Sequence, residues 1–359
     1  MDKSGPSISL GNQRGNRHIP MIYPTAIGLA AAALLATNML LPTNIWAQSS
    51  QSSDPAARQL APGVLTVVEV QSQEEETLSG PRPLVELVQQ APDWKPNFTP
   101  QNETLLELSK NATIRRTIWQ FEFAFKPMRL IFLDVPTRQG GTRQQAVWYL
   151  LYQIRNKGNH LRPTAKKDKF GNDVMGVESV DHDLSFVPQF ALQIHGEIDG
   201  RPASSRMIPD RVIPAAVRRI HRIEIRDRKT RLHNSVDISA ISVAASSETM
   251  DRGVWGVATW PDVDPRADYF SIYVQGVSNA YRWEDPKGAH TEGDPPGTGR
   301  QYEFKTLKIN FWRPGDTVDE HVREFRLGLP LTQDQSELKR LMGIYRVQSP
   351  EKYGWTYQP

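Results

Sequence analysis

The chain has 359 residues, a formal net charge of +3 and no cysteine, which excludes disulfides, thiolate metal sites, a cysteine nucleophile and a lipid-modified cysteine. Lys3, Arg14 and Arg17 against Asp2 place two of those charges in the first 47 residues, so the remainder is nearly neutral at +1 and gives no support to nucleic-acid binding. The hydrophobic fraction, 38%, is low for a globular chain while aromatics reach 9%, so a core of aromatic and β-branched residues is expected.

Residues 1–47 read as an export signal. Arg14, Arg17 and His18 precede an apolar run, Ala26–Ala36; Pro42 then breaks the helix, and Ala47 offers a small residue for cleavage before Gln48. The rival is an uncleaved anchor, because Met21–Leu41 is 21 residues, enough to span a bilayer. Pro24, Thr37 and Asn38 weigh against it. Either reading places the remainder outside the cytoplasm, periplasmic or extracellular, with membrane contact only through residues 21–41. Residues 48–60 are rich in Ser, Gln and Ala and are expected to form a disordered linker.

Residues 61–115 form a mixed segment. Val64–Val70 predicts a strand, 71–82 a loop, and Leu84–Gln90 and Glu103–Lys110 short helices, the second capped by Asn102. Asn97, Asn102 and Asn111 each open an Asn-x-Thr triplet, a glycan acceptor in a suitable secretory pathway and otherwise a cap or turn.

Residues 116–331 change to period two. Trp119, Phe121, Phe123 and Phe125 share one face of a half-buried strand, Pro127 interrupts it, and Met128–Val135 resumes. Ala146–Ile154 is apolar on both faces, as a central strand should be, and Asn156–Asn159 ends it as a turn. Residues 162–183 read as a long exposed loop. Strands follow at Leu184–Ile198, Val236–Val243, Val254–Trp260, Tyr269–Val277, Gln301–Trp312 and Val322–Leu329, with Asp199-Gly200 as a hairpin dipeptide. Pro214–Ile225 is a short helix or a basic strand, and Gly288–Arg300 a loop. In 332–359, Thr332–Arg346 predicts a terminal helix with Leu338, Leu341, Met342 and Tyr345 on one face. The fold expected is mainly β: an immunoglobulin-like β-sandwich with a short helical N-terminal segment and a C-terminal helix.

Arg201–His233 holds ten Lys or Arg against Asp210, Glu224 and Asp227. Arg218, Arg219, Arg222 and Arg226 are its candidate contact residues, and outside the cytoplasm they suit an anionic glycan or an acidic envelope protein. A solvated face of a strand or helix is the favoured reading, and the contact surface its rival. Tyr281 and Trp283, with Tyr353, Trp355 and Tyr357, read as loop or tail aromatics. They can stack on sugars or fill a partner's pocket, or fold back over the ends of the sandwich, which is the favoured reading.

Asp262, Asp264 and Asp268 share one loop, and oxygen ligands at short spacing suit calcium, the one cofactor suggested by the chain. The loop lacks the glycine and glutamate of an EF-hand, and Pro261 and Pro265 favour a stiff turn. Asp181-His182-Asp183 is a smaller cluster. Gly276-Val277-Ser278-Asn279-Ala280 resembles a nucleophile elbow after a strand, with His290 and His321 as bases, but Ala280 replaces the second glycine and a plain turn is expected.

The leader, Gly253-Val254-Trp255-Gly256-Val257-Ala258 running into Val263-Asp264-Pro265, and Gly276-Val277-Ser278-Asn279 resemble uncharacterised exported proteins of planctomycete-type bacteria. The resemblance implies an envelope location and no particular activity. The expected function is a non-catalytic binding or scaffolding module of the cell envelope. The alternatives are a hydrolase of an envelope polymer, with Glu122 and the Asp262–Asp268 loop as first suspects, and a calcium-dependent adhesion module.

Overall fold

The computed structural model describes residues 65–82, 112–136, 141–198, 201–203, 206–227, 229–247, 249–261, 263–289, 298–313, 325–330 and 332–359. All belong to one compact unit, Asp54–Pro359. The export signal, the linker 48–60, the helices expected at 84–90 and 103–110, Asn97, Asn102, Asn111, Arg228, Asp262, His290 and His321 lie outside the described residues.

The fold is mainly β, with several antiparallel sheets and, among the described residues, two α-helices. The strands of the two principal sheets begin with β1 (Thr66–Val68), β2 (Glu122–Phe125), β3 (Arg129–Pro136), β4 (Thr142–Arg155), β5 (Gln189–His195) and β6 (Ile208–Pro209). They continue with β7 (Leu232–Asn234), β8 (Val254–Trp260), β9 (Tyr269–Gln275), β10 (Tyr281–Glu284), β11 (Gln301–Trp312), β12 (Arg326–Leu327) and β13 (Tyr353–Gln358). The first sheet has the order β1–β2–β4–β8–β7, with β3 also on β4; only β7–β8 is parallel. The second has the order β6–β5–β9–β11–β10, with β12 and β13 also on β11.

Pro127 interrupts the aromatic strand, as expected: β2 ends at Phe125, β3 begins at Arg129, and the break is a bulge against β4. Phe125 lies opposite Tyr152 and Arg129 opposite Tyr149, and Lys126 N donates to Leu151 O at 2.9 Å between them. The register moves by one residue, and proline, which has no N–H to donate, fits such a position. The extra residue switches the parity of the alternation. Phe121, Phe123 and Phe125 before the bulge and Met128 and Leu130 after it therefore reach the same core.

That core is aromatic, as the composition predicts, and both sheets share it. Phe125 meets Phe311 at 6.1 Å, Trp148 meets Phe270 at 5.1 Å and Tyr152 meets Phe190 at 5.0 Å between ring centroids. A second, smaller cluster lies on the outer face of the first sheet. There α1 (Pro214–Glu224), with proline in its first turn, packs Ala216 and Ile220 on Ile131, Leu133, Val147, Tyr149 and Val257. β4 is thus covered on both faces. The second helix, α2 (Gln335–Tyr345), opens on Asp334, whose carboxylate accepts from Ser336 N, and it buries Leu341. No helix among the described residues is long and apolar enough to cross a membrane.

Several local expectations are corrected. The supposed loop 162–183 is a hairpin, His160–Lys167 paired with Asp173–Val180. Its strands cover no core, Val174 and Met175 are exposed, and no alternation marks them. Val236–Val243 is a tight turn, Asp237–Ala240, followed by the short strand Ser242–Val243. Asn234 Oδ1 accepts the N–H groups of Val236 and Asp237 and so ends the extended chain at β7. Residues 71–82 hold a turn, Glu74–Thr77, and a strand, Leu78–Arg82, paired with Ala112–Arg115. Leu184–Ile198 breaks near Pro188 into Leu184–Ser185, β5 and Glu197–Ile198; Ile198 pairs with Arg201 across the Asp199-Gly200 position. Only Arg326–Leu327 of the strand expected at 322–329 is described as extended. Tyr353, Trp355 and Tyr357 belong to β13 and not to a tail.

Candidate functional site

The basic segment resolves into a helix with two chemically distinct sides. Ala216 and Ile220, four residues apart, face the sheet; Arg218, Arg219 and Arg222 fall on the opposite arc and are exposed, and Arg226 follows just past the end. None of the four is in an ion pair among the described residues. Glu224, the one acid of the helix, points inward with its side chain 2% exposed. Its Oε2 accepts from Lys126 at 3.1 Å, and its Oε1 accepts from Arg129 at 2.6 Å and from the Tyr149 hydroxyl at 2.8 Å. Burial, reinforced by the Glu224 charge, pushes the Tyr149 hydroxyl far above its ordinary range and keeps it a donor. The helix therefore turns its negative charge toward two sheet cations and its positive charges toward solvent.

Tyr281 and Trp283 lie on strand β10 and not in a loop. Tyr281 is opposite Phe304 and Trp283 opposite Tyr302, so these four rings share one face; Tyr302 and Phe304 are exposed. The Arg116 guanidinium sits 3.5 Å from the Tyr281 ring centre and that of Arg300 sits 3.6 Å from Trp283. These rings belong to the second sheet, whereas α1 covers the first. The two predicted contact surfaces are separate.

Asp264 forms a closed turn. Its Oδ1 accepts from Arg266 N and Nε at 3.0 Å each, and its Oδ2 accepts from Nη2 at 2.8 Å. The Arg266 hydrogen bonds hold this carboxyl below its ordinary range. Asp268 contributes its backbone carbonyl to Arg313 N at 2.8 Å. Among the described residues no three His, Asp or Glu side chains are grouped as a metal site. Asp181 and His182 serve a turn instead: Asp181 Oδ1 accepts from Asn159 N, and His182 O accepts from the buried Asn156 amide.

The elbow-like Gly276–Ala280 segment lies largely buried between β9 and β10 and ties the second sheet to the chain entering β2. Val277 O accepts from Phe121 N at 2.8 Å, Asn279 Oδ1 accepts from Trp119 N at 2.9 Å, and Asn279 Nδ2 donates to Thr117 O at 2.9 Å. Ser278 is 6% exposed and its Oγ accepts from Ala280 N. This serine closes a turn and presents no nucleophile.

A polar recess on the outer face of the second sheet was not foreseen. Core residues Phe270 and Ile272 alternate with Tyr269, Ser271 and Tyr273, which face outward. Ser271 lies opposite Gln193 on β5 and Asn310 on β11. His195 Nε2 is 2.7 Å from Ser271 Oγ, Ser271 Oγ donates to Asn310 Oδ1 at 2.6 Å, and Asn310 Nδ2 donates to Glu351 O at 2.7 Å. The bond to Glu351 orients the amide, the amide oxygen takes the only serine proton, and Ser271 can then only accept from His195. His195 thus carries its proton on Nε2 and keeps a lone pair on Nδ1. Burial, with Lys308 adding to it, lowers His195 to about 4, so the ring is neutral at pH 7. Burial also pulls the Lys308 ammonium below its ordinary range, against the opposing pull of Glu351. A serine nucleophile would need the histidine lone pair on Nε2; here the proton direction is reversed and Ser271 is fully buried.

No family model, curated protein or solved structure matches the chain. The recess left one trace in the sequence: Thr306, Lys308 and Asn310 alternate with Leu307, Ile309 and Phe311, a polar outer row against an apolar inner one.

Proposed function

We propose that the chain is a non-catalytic binding module of the cell envelope, exported by its leader, with the arginine face of α1 as the contact surface for an anionic glycan. The scaffold is read as an immunoglobulin-like sandwich, on the strength of two mostly antiparallel sheets facing one aromatic core. One observation carries the functional reading: α1 turns Glu224 inward while Arg218, Arg219 and Arg222 stand exposed on a helix docked by its apolar side. Arginine forks match carboxylate and sulfate geometry, and a helix fixed to a sheet displays them at little entropic cost.

The test is retention of the purified chain on an immobilised anionic polysaccharide. Wild type should bind at low salt and elute as salt screens the contact. The triple variant R218E/R219E/R222E should flow through with an unchanged unfolding temperature. Binding by the triple variant equal to wild type sinks the assignment.

A further inference from the structure

We propose that the polar recess on the outer face of the second sheet binds a small hydroxylated carboxylate, with the chemistry of a sugar acid. This site is independent of α1, which covers the other sheet. Its floor is secondary structure: His195 on β5 and Lys308 and Asn310 on β11, with Ser271 on β9 buried beneath and bonded to His195 and Asn310. The rim is the chain between α2 and β13, pinned where Asn310 Nδ2 donates to Glu351 O at 2.7 Å and Asn310 N to Lys352 O at 2.9 Å.

Two cations and two acceptors meet there. Lys308 is half-buried, and its ammonium makes no hydrogen bond or ion pair among the described residues; the centre of the Tyr273 ring lies 5.8 Å away. A partly desolvated ammonium that feels the Glu351 charge but makes no direct ion pair is costly, and an anion in direct contact would relieve that cost. Arg346, in the left-handed region at φ 54°, brings a guanidinium to the rim, one nitrogen of which donates to Glu197 at 3.0 Å. Together they offer a point charge and a fork to a carboxylate. The acceptors are the Glu351 carboxylate and the His195 Nδ1 lone pair, whose tautomer is set by the Ser271–Asn310 relay. Acceptors repel an oxyanion and attract hydroxyl protons. Sulfate would satisfy the cations and face the acceptors with more oxygen lone pairs; a neutral sugar would give Lys308 no direct ion pair. The recess has a volume of about 300 Å³, room for about ten water-sized groups, the scale of one sugar ring.

The experiment titrates the purified full chain with glucuronate, glucose and inorganic sulfate, by calorimetry and by the imidazole nitrogen resonances of His195. Glucuronate should bind, move those resonances, and exceed both glucose and sulfate by roughly tenfold, the effect expected of one charge-assisted contact. Lys308→Met should remove that advantage, while R218E/R219E/R222E should leave it intact. If Lys308→Met does not fold, the wild-type titrations decide alone. Glucose or sulfate binding as well as glucuronate, unmoved His195 resonances, or no glucuronate binding at millimolar concentration each overturns the proposal. A short oligouronide separates the two sources. Tighter binding than the monomer supports a polymer end as the ligand, and equal binding supports a free acid.

Discussion

The carboxylate of Glu224 lies 3.1 Å from the ammonium of Lys126, a residue aimed there by the bulge between β2 and β3. With Arg129 at 2.6 Å, one buried acid holds two sheet cations and locks the end of α1 in place. Glu224→Ala should cost about 3–5 kcal/mol, because it leaves Lys126 and Arg129 unpaired in a largely desolvated site. Adding Lys126→Met should restore part of that loss, and urea unfolding of the four proteins gives the coupling. A loss below about 1 kcal/mol would place the network with ordinary surface ion pairs.

Gly276 and Gly171 both sit in left-handed backbone, at φ +89° and +85°. A Cβ on Gly276 would lie 2.3 Å from the Val187 carbonyl oxygen, whereas one on Gly171 meets nothing within 4 Å. Gly171→Ala should therefore cost only the conformational term, about 1–2 kcal/mol. Gly276→Ala should cost at least about 1 kcal/mol more, since backbone has to move. Equal midpoints in urea would show that β9 relaxes freely around this turn.

Asn279 holds the other half of the same turn. Its amide serves Trp119 N and Thr117 O at once. Asn279→Ala should cost about 2–3 kcal/mol by leaving two partly buried backbone groups without partners. Hydrogen exchange should then speed up at Trp119 and Phe121 before it does at β4. Ser278→Ala, which deletes only a local bond to Ala280 N, should cost less than Asn279→Ala; the opposite order would contradict the bonding scheme.

How much of this could be read in advance depended on whether a segment faces a core. Val254–Trp260 and Gln301–Trp312 were legible to the residue: the first is a short apolar run covered on both faces, and the second alternates over the core from Thr306 to Phe311. The hairpin His160–Lys167/Asp173–Val180 has no core beneath it and carried no such mark. In α1, apolar residues among arginines fit a helix and a basic strand alike, and the packing of Ala216 and Ile220 on β3 and β4 decides for the helix. The exposed arginines followed from the helical spacing. The recess did not, because His195 and Ser271 are 76 residues apart and Ser271 and Asn310 are 39 apart. Their meeting is a matter of strand order and register, which no local pattern encodes.

His195 gives the sheet a built-in acid sensitivity. Lys308 on β11, Arg346 and Glu351 after α2, and the Tyr269 ring surround it, and Lys308 adds to the burial that lowers its pKa from the ordinary 6.5 to about 4. The neutral ring is the native form. Below pH 6.5 the unfolded chain takes up a proton that the folded chain refuses, so stability rises with pH across this window. The contribution is complete above about 6.5 and fades as pH falls toward 4, up to about 3 kcal/mol in all. Burial also lowers His160 and His233, so the whole protein loses stability in acid for several reasons. Comparing wild type with His195→Gln cancels those shared terms. Measured by urea unfolding at pH 7 and again near the lower end of that window, the variant should lose less stability than wild type. Parallel losses would mean that His195 titrates alike in the folded and unfolded chain, and the buried, Ser271-bound imidazole described above would have to be abandoned.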